Sequence, residues 1–348
     1  MSITKAYAVF SPGADLIPHS IERRPVGAHD VQIEIAYCGI CHSDIHQVRD
    51  EWGGAKYPMV PGHEIVGLVT AVGAQVQGFQ VGDRAGVGCM VDSCRTCRSC
   101  QRNLEQFCEK GSAYTYNGTE MDRQTLTYGG YSASVVVAEA FTLKISPSLD
   151  LAAAAPLLCA GITTYSPLRQ WQTKAGDKVG VVGLGGLGHM AVKIAAAMGA
   201  EVTMLSTSPA KEADARKLGA QHFGLTSDPA TFKRLAGQFD LLIDTISAPH
   251  DYNKYLSLLR IEGAMVLLGV PPEPTPVAAG SLIFGRKVLT GSLIGGIQET
   301  QEMLDFCAEH GIVSEVEKIP MQKINEAYER MLKSDVKYRF SIDMSSLK

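Results

Sequence analysis

Apolar and polar positions alternate along much of the first 150 residues. Residues 6–10 and 30–36 have the period-two pattern of strands with one buried face, and glycines such as Gly67, Gly73 and Gly82 separate short valine-containing runs. Short strands joined by tight glycine turns predict a compact, β-rich, barrel-like domain over residues 1–150.

The pattern changes at about residue 150, where apolar runs begin to alternate with alanine-rich helical segments. This order of elements is typical of an α/β domain with a doubly wound parallel sheet, which we place at 151–290. Residues 291–348 are mixed and are expected to rejoin the first domain. The predicted elements are a helix at 151–158, a strand at 179–182, a helix at 189–198, and strands at 201–205, 240–245 and 264–269.

Length and composition agree with this division and limit the possible partners. A chain of 348 residues with 45% hydrophobic and 20% charged residues is typical of a globular protein with two domains. No apolar run approaches the ~20 residues of a membrane span, and no secretory leader is recognisable, so we expect a cytoplasmic location and no membrane partner.

The net charge of −4 and the lack of a basic cluster argue against nucleic acid as a partner. Small molecules are the expected ligands.

A glycine-rich turn between an apolar strand and a helix predicts a dinucleotide site. Gly183 permits the tight turn, Gly185 lets the backbone approach a pyrophosphate, and Gly188 allows close packing of helix and strand. The alternative is an ordinary glycine turn. The full run is Gly183, Leu184, Gly185, Gly186, Leu187 and Gly188.

The end of the following strand indicates which dinucleotide binds. An NAD site usually has a carboxylate there for the ribose 2′-hydroxyl, whereas this chain has Ser206, Thr207 and, slightly later, Lys211. Hydroxyls and an ammonium suit a 2′-phosphate, so NADP(H) is favoured over NAD(H). Ser206 and Thr207 have a second possible role as caps of the next helix.

Four of the nine cysteines lie close together, as Cys94, Cys97, Cys100 and Cys108. In a reducing compartment this spacing predicts a metal site, and four thiolates suit a closed, structural zinc. An iron–sulfur cluster and a zinc-ribbon nucleic-acid module are the alternatives, and the absence of further cysteine motifs and of a basic face counts against them.

Cys41 and His63 are candidate ligands of a second, catalytic zinc. Either one alone would more often be a buried thiol or a core histidine. We expect Asp44 to hydrogen-bond the far nitrogen of His63. Cys159 is the candidate third ligand, and Glu64 is the candidate exchangeable ligand.

These motifs occur together along nearly the whole chain, at 38–46, 61–67, 82–84, 94–108, 128–131, 158–165 and 183–188. In this combination the sequence resembles the zinc-dependent medium-chain alcohol dehydrogenases, most closely their cinnamyl alcohol dehydrogenase-like branch. The resemblance implies a GroES-like barrel domain carrying both zincs, a Rossmann domain for NADP(H), and an active site between them. It also implies a homodimer formed through the sheet edge near 287–293.

The resemblance further implies metal-assisted hydride transfer between NADP(H) and an alcohol/aldehyde pair. Its proton relay maps onto Ser43, the cofactor ribose and His46, since a histidine at the outer end exchanges protons near neutral pH. Predicted cofactor contacts other than the glycine turn are His42 at the pyrophosphate, Thr163 at the nicotinamide, Ser206, Thr207 and Lys211 at the 2′-phosphate, and Thr245, Val270 and Ile294.

The substrate is predicted only by class, as an aliphatic or aromatic aldehyde that the enzyme mainly reduces. Trp52, Tyr114 and Ile294 are candidate pocket residues, and the loop 111–127 is expected near the substrate entrance. The alternative enzyme is a polyol or sugar dehydrogenase. Cys159 counts against it, because polyol and sugar dehydrogenases generally have a carboxylate as the third zinc ligand. A catalytically silent zinc- and nucleotide-binding protein would have no need of the relay residues.

Overall fold

A computed structural model describes residues 2–347, in which the chain forms two compact units. The first unit extends to Cys159 and resumes at Gly295, and the second comprises Ala160–Ile294. The boundaries expected at residues 150 and 290 therefore differ from the observed ones. The difference at 150 arises because the helical run that follows this position packs on the sheet of the first unit.

Seventeen strands are assigned within the described residues. They are β1 (Ser2–Ala8), β2 (Ile17–Arg23), β3 (Asp30–Gly39), β4 (Ile65–Val72), β5 (Arg84–Val87), β6 (Met90–Asp92), β7 (Ala113–Tyr114), β8 (Ser134–Ala138), β9 (Leu143–Lys144), β10 (Lys178–Val182), β11 (Glu201–Ser206), β12 (His222–Leu225), β13 (Phe239–Asp244), β14 (Leu259–Leu267), β15 (Val288–Gly291), β16 (Val316–Pro320) and β17 (Arg339–Asp343).

Ten α-helices accompany them over the same residues. They are α1 (His42–Val48), α2 (Leu151–Ala154), α3 (Ala160–Gln170), α4 (Gly188–Ala197), α5 (Glu212–Lys217), α6 (Pro229–Leu235), α7 (Tyr252–Leu256), α8 (Ala279–Ile283), α9 (Ile297–His310) and α10 (Ile324–Leu332). Single 3₁₀ turns occur at Cys100–Arg102, Glu105–Phe107, Glu139–Phe141, Ala155–Leu158, Pro209–Lys211, Met321–Lys323 and Met344–Leu347.

Within residues 2–347, no single helix is long and apolar enough to cross a bilayer. Two consecutive helical segments, Leu151–Leu158 and Ala160–Gln170, meet the length and composition of a span only when taken together.

The first unit is built on a mostly antiparallel sheet in the order β16-β17-β3-β4-β5-β9, with β8 also paired to β3. The alternation predicted for 30–36 is present in β3, where Val31, Ile33 and Ile35 are buried. The C-terminal segment completes this sheet, because β17 pairs with β3 and places Ser341 opposite Gly39. The prediction of a β-rich first domain is confirmed.

The second unit is a six-stranded parallel sheet in the order β12-β11-β10-β13-β14-β15. Its first strand, β10, is central, and successive strands are added first on one side and then on the other. This is the doubly wound Rossmann order, in which ligands bind where the strand order reverses, here between β10 and β13. The predicted α/β fold is confirmed.

Two local elements differ from the sequence-based expectations. Helix α1 was not predicted, because its seven residues carry too few apolar positions to produce a helical period, although Asp44, Ile45 and Val48 are buried. The helix expected at 151–158 ends as α2 at Ala154 and continues as a 3₁₀ turn through Leu158. Pro156 accounts for the change, since proline lacks the N–H that would continue the α-helix.

Candidate active site

Four metal-binding side chains converge in the first unit. Cys41 immediately precedes α1, His63 and Glu64 immediately precede β4, and Cys159 follows the 3₁₀ turn after α2. Their ligand atoms all lie within 4.8 Å of one another. Residues that are far apart in the sequence therefore form one cluster within a single unit.

The cluster fits the requirements of zinc. Two thiolates about 2.3 Å from a tetrahedral zinc stand about 3.8 Å apart, and the Sγ atoms of Cys41 and Cys159 are 3.8 Å apart. His63 adds an imidazole, and Oε2 of Glu64 is buried without a hydrogen-bond partner, as expected of an oxygen that can approach a cation. Three ligands of this chemistry leave a coordination position open, which is typical of catalytic zinc.

Asp44 supports the cluster from the first turn of α1. The fully buried carboxylate accepts hydrogen bonds from Nδ1 of His63 (3.1 Å), the backbone N–H of Gly62 (3.2 Å) and of Cys41 (2.9 Å), and the hydroxyl of Tyr131 (3.3 Å). Because Nδ1 donates to Asp44, Nε2 is the nitrogen of His63 that remains for a metal.

The electrostatics of the ligands favour a bound cation. A hydrogen bond from the Cys159 thiol lowers the pKa of Cys41 well below its usual range, and the same bond raises the pKa of Cys159. Burial alone would lower the pKa of His63, but the charges of Asp44 and Cys89, together with hydrogen bonds to Asp44 and Cys41, outweigh it and hold this pKa well above the usual value. Since a dication stabilises both thiolates, it would remove the need for the two sulfurs to share a proton.

Glu64 supplies the carboxylate of the cluster and is paired with a buried arginine. Burial raises the pKa of Glu64 to about 7, and the charge of Arg339 opposes that rise. Arg339 contacts Oε1 of Glu64 and donates two further hydrogen bonds to the carbonyl oxygen of Ile40, at 2.8 and 3.1 Å. Gly39 makes room for the carboxylate, because a Cβ there would lie 1.9 Å from Oε2.

The predicted relay residues lie along α1. Oγ of Ser43 is 3.6 Å from Sγ of Cys41, and Nδ1 of His46 is 2.5 Å from Oε2 of Glu51. Among the described hydrogen bonds none joins Ser43 to His46, so a relay between them needs a group that spans the gap, as the ribose does in the predicted scheme. Trp52 stacks on the ring of His46 with 4.9 Å between centroids and is 48% exposed.

The loop 111–127 contributes a different tyrosine from the one predicted. Tyr116 is 8% exposed and stacks on His63 with ring centroids 5.8 Å apart, whereas Tyr114 is 43% exposed and lies in β7. The backbone N–H of Thr115 donates to the carbonyl oxygen of Cys89 (3.1 Å), which fixes the loop beside the cluster. The spacing of aromatic residues alone does not distinguish Tyr114 from Tyr116.

The second cysteine set is also in the first unit. The ligand atoms of Cys94, Cys97, Cys100 and Cys108 lie within 4.8 Å of one another, and Sγ of Cys100 is 3.9 Å from that of Cys94 and 3.5 Å from that of Cys97. Four thiolates at these separations fit a tetrahedral zinc with no open position, as expected of a structural site.

The glycine turn of the second unit has the geometry of a phosphate cradle. Gly183 follows β10 with φ +91°, and Gly188 opens α4, where a Cβ would lie 1.9 Å from the carbonyl oxygen of Gly183. A Cβ at Gly185 would meet no protein atom within 4 Å, so this side of the turn is open to a ligand. Gly186 and Leu187 are half-buried, while Leu184 is buried.

Lys211 reaches this turn from the 3₁₀ turn that follows β11. Its Nζ donates to the carbonyl oxygen of Leu184 at 2.7 Å, and burial lowers its pKa. Oγ of Ser206 accepts from the backbone N–H of Ser208 (3.2 Å), and neither Ser206 nor Thr207 caps a helix. The alternative role as helix caps is therefore wrong, and a cationic, hydroxyl-bearing edge beside the turn fits a 2′-phosphate.

The remaining predicted cofactor residues differ in accessibility. The hydroxyl of Thr245 lies 2.8 Å from the carbonyl oxygen of Val182 and 3.1 Å from that of Gly183, against the glycine turn. Thr163 is buried in α3, and Ile294 is buried at the end of the second unit. Val270 is exposed in this unit, and His42 is exposed in the first unit, at the start of α1.

Comparison with known proteins assigns the family. Residues 27–147 match the family described as "Alcohol dehydrogenase GroES-like domain", and residues 186–309 match "Zinc-binding dehydrogenase". The NADP-dependent alcohol dehydrogenase C 1 of Mycolicibacterium smegmatis is 57% identical over 100% of both chains. The chain belongs to the zinc-binding alcohol dehydrogenases.

Two further similar proteins are an aldehyde reductase and a cinnamyl alcohol dehydrogenase. The aldehyde reductase YahK of Escherichia coli is 53% identical over 99% of each chain. The solved structure of a cinnamyl alcohol dehydrogenase from Sorghum bicolor has a TM-score of 0.96 and 44% identity, covering 100% of this chain and 99% of that one. The predicted family and fold are confirmed.

Three residues of this alcohol dehydrogenase were missed at the sequence level. Arg339 and Tyr116 reach the zinc ligands only through the tertiary fold, and no local motif marks them. Cys89 lies nearby, with Sγ 3.9 Å from the carbonyl oxygen of Leu158, and a hydrogen bond with Cys159 lowers its pKa. Cys89 lies only a few residues before the four-cysteine loop in the sequence. Only the fold shows that it lies beside Cys159 instead of with the four cysteines.

Proposed function

We propose that this protein is an NADP(H)-dependent zinc alcohol dehydrogenase that works mainly as a reductase of aliphatic or aromatic aldehydes. The observation that carries the proposal is the open ligand set of Cys41, His63 and Cys159 in a chain that also has a dinucleotide-binding turn. Relatives named as an NADP-dependent alcohol dehydrogenase and an aldehyde reductase support the same reaction.

The residues of the first unit hold the metal and set its chemistry. Cys41, His63 and Cys159 would hold zinc, Asp44 fixes the tautomer of His63, and Glu64 would serve as an exchangeable ligand. When bound, zinc supplies Lewis-acid chemistry towards a carbonyl or alcohol oxygen, and the nicotinamide supplies or accepts hydride.

The proton for aldehyde reduction enters along α1. His46 has Nδ1 engaged by Glu51 at 2.5 Å, so Nε2 is the nitrogen that exchanges the proton, and its ring is partly exposed to solvent. Ser43 holds its hydroxyl beside Cys41, where it would donate a proton to the substrate oxygen. His46→Gln should lower kcat, while KM for the aldehyde changes little.

Cofactor choice is assigned to Ser206, Thr207 and Lys211. The test is kcat/KM with NADPH and with NADH for the wild type and for Lys211→Ala, using Lys193→Ala on α4 as a control lysine outside the proposed site. Loss of one phosphate contact should cost roughly tenfold with NADPH and little with NADH. A wild-type preference for NADH would refute the assignment.

Substrate class is tested with a panel of aldehydes and polyols under matched cofactor conditions. The proposal predicts NADPH oxidation with aliphatic and aromatic aldehydes, and Trp52 and Tyr116 are the aromatic residues beside the relay and the ligands. Faster turnover of a polyol or sugar than of any aldehyde or primary alcohol would favour the alternative enzyme. Absence of turnover with zinc and NADPH both bound would favour the silent binding protein.

A homodimer through β15 is also part of the proposal. β15 ends the parallel sheet, and next to it lies a groove of about 420 Å³ lined by Leu259, Ile261, Phe284 and Lys287, among other residues. Phe284 is 91% exposed and Ile261 is 70% exposed, an unusual exposure that a second copy would cover. Light scattering should give twice the mass of the chain, and Phe284→Asp should lower that mass, whereas Phe10→Asp in the first unit should not.

We further propose a cytoplasmic location. The nine cysteines are all free, and the two metal clusters need reduced thiolates. Cell fractionation against a cytoplasmic marker tests this, and recovery in an oxidising compartment would contradict it.

A further inference from the structure

A histidine–carboxylate pair lies at the carboxyl end of β13 in the second unit. Nε2 of His250 is 2.9 Å from Oδ2 of Asp244, and Nδ1 of His250 is 2.8 Å from the carbonyl oxygen of Ala248. The side chain of Asp244 is 2% exposed and that of His250 is 13% exposed. The pair is therefore almost removed from water.

These two contacts determine the protonation state of the ring. A carbonyl oxygen can only accept a hydrogen bond, and so can an ionised carboxylate, whereas neutral imidazole has one donor nitrogen and one acceptor nitrogen. Only the imidazolium, which donates from both nitrogens, satisfies both partners. In the neutral ring, the lone pair of Nδ1 or of Nε2 would face an oxygen at hydrogen-bond distance.

The surroundings of His250 agree with the charged form. Burial by itself lowers the pKa of His250, but hydrogen bonds from the ring to Asp244 and Ala248 outweigh it, and the pKa is raised above its usual value. The other groups that face the ring are the Asp251 carboxylate and the rings of Tyr252 and Tyr255 on α7, whose centroids are 4.9 and 5.4 Å away. Burial raises the pKa of both tyrosines, so they stay neutral as the histidine titrates.

The pair is connected to the glycine turn through the segment that follows β13. Asp244 also accepts from the backbone N–H of Ile246 at 3.1 Å, and Thr245 donates its backbone N–H to the carbonyl oxygen of Val182 at 3.0 Å. A Cβ on Gly183 would lie 3.0 Å from both Thr245 Oγ1 and Ile246 Cγ1. Asp244 and His250 thus hold the residues that pack directly on the turn proposed to bind the pyrophosphate.

We propose that His250 is a positioning residue for the dinucleotide: as an imidazolium bridging Asp244 and Ala248, it holds the segment 245–250 against the glycine turn. This inference rests on the proposed NADP(H) site. Because the pKa of His250 is raised, the imidazolium makes its full contribution to NADPH binding at low pH, and this contribution is lost as the pH rises through that pKa. NADPH affinity should therefore weaken from neutral to alkaline pH.

The test compares NADPH dissociation constants of the zinc-loaded, full-length protein over a pH series that begins near the ordinary histidine pKa of about 6.5 and extends to alkaline pH. Loss of the bridge should weaken wild-type binding roughly tenfold across this range. His250→Gln should bind NADPH weakly at every pH and should not show the pH-dependent loss of affinity that is due to His250. Lys211 also titrates at alkaline pH, but it is common to both proteins, so the difference between their profiles isolates His250.

His222→Gln is the matched control. Nε2 of His222 is 2.9 Å from Oε1 of Glu201 in the same unit, but this pair is exposed, at 55% and 41%. It lies at the amino ends of β11 and β12, away from the glycine turn. Its pH profile should match that of the wild type, and equal profiles for His250→Gln and the wild type would overturn the proposal.

A cofactor-free measurement separates this inference from the proposed function. In a protein labelled with ¹³C at histidine Cε1, NMR should assign to His250 a resonance that remains in the imidazolium form at neutral pH. The contacts of this resonance with the Tyr252 ring identify it if His250→Gln does not fold. A neutral ring at pH 7 would refute the inference, whereas a charged ring in a protein that binds no NADPH at any pH would refute only the proposed cofactor.

Discussion

Replacing Asp44 by asparagine removes one negative charge from the site while keeping the shape of the side chain. The carboxylate accepts four hydrogen bonds, and the amide can accept only from the two donors on the side where its oxygen lies. In one orientation Cys41 N–H and Tyr131 O–H face the new NH₂ group, and in the other Gly62 N–H and His63 Nδ1–H do. A donor left unsatisfied in the interior costs about 1–3 kcal/mol.

With two donors left unsatisfied, the unfolding free energy of Asp44→Asn should therefore fall by about 2–6 kcal/mol, nearer the lower end if the Tyr131 hydroxyl rotates to another acceptor. Zinc affinity at Cys41, His63 and Cys159 should fall about 10- to 100-fold, as is usual when the hydrogen-bond partner of a ligating histidine is lost. The four-cysteine site lacks any contact with Asp44 among the described hydrogen bonds and should keep its metal.

Competition with a chromophoric chelator measures both sites in one experiment. At a chelator strength that leaves about two zincs on the wild type, Asp44→Asn should retain about one. Asp122→Asn is the control. Like Asp44, Asp122 accepts several hydrogen bonds, in this case three from Gln124 and Thr125, but it is exposed and lies outside the cluster. Asp44→Asn with wild-type zinc affinity and stability would refute the assigned role of this carboxylate.

Three further substitutions test the remaining parts of the account. Gly188→Ala places a Cβ 1.9 Å from the carbonyl oxygen of Gly183, so it should lower the thermal midpoint and abolish NADPH binding. Gly185→Ala meets no protein atom, so it should leave the thermal midpoint unchanged and weaken NADPH binding by at least about tenfold, measured by cofactor fluorescence. Cys94→Ser should reduce the zinc content from about two to about one and lower the thermal midpoint, because a structural zinc contributes directly to folding; unchanged zinc content would contradict the structural assignment.

The sequence was informative wherever chemistry and backbone geometry are encoded locally. The glycine turn could be predicted because the sequence places Gly183 directly after an apolar strand and Gly188 at the start of a helix. The structure has both elements, as β10 and α4. The four-cysteine loop could be predicted because its ligands fall within one short segment. Cys41, His63 and Cys159 lie far apart in the sequence, so their chemistry could mark them as candidate ligands, but only the fold shows that they form one cluster.

The rest of the site depends on tertiary packing that no local pattern encodes. Arg339 is brought to Glu64 by the pairing of β17 with β3, and Tyr116 rather than Tyr114 is directed to His63 by the path of the chain after β7. His250 lies in a turn with proline and polar neighbours, where a histidine is not unusual. Only its two acceptor partners reveal its charge.

Cys41→Ser tests the central claim most directly, through parallel measurement of zinc content and of aldehyde-dependent NADPH oxidation. The account predicts about one zinc per chain instead of about two and loss of turnover. NADPH binding and the thermal midpoint should stay near the wild-type values. Two retained zincs with wild-type turnover would contradict the claim that Cys41 holds a catalytic metal.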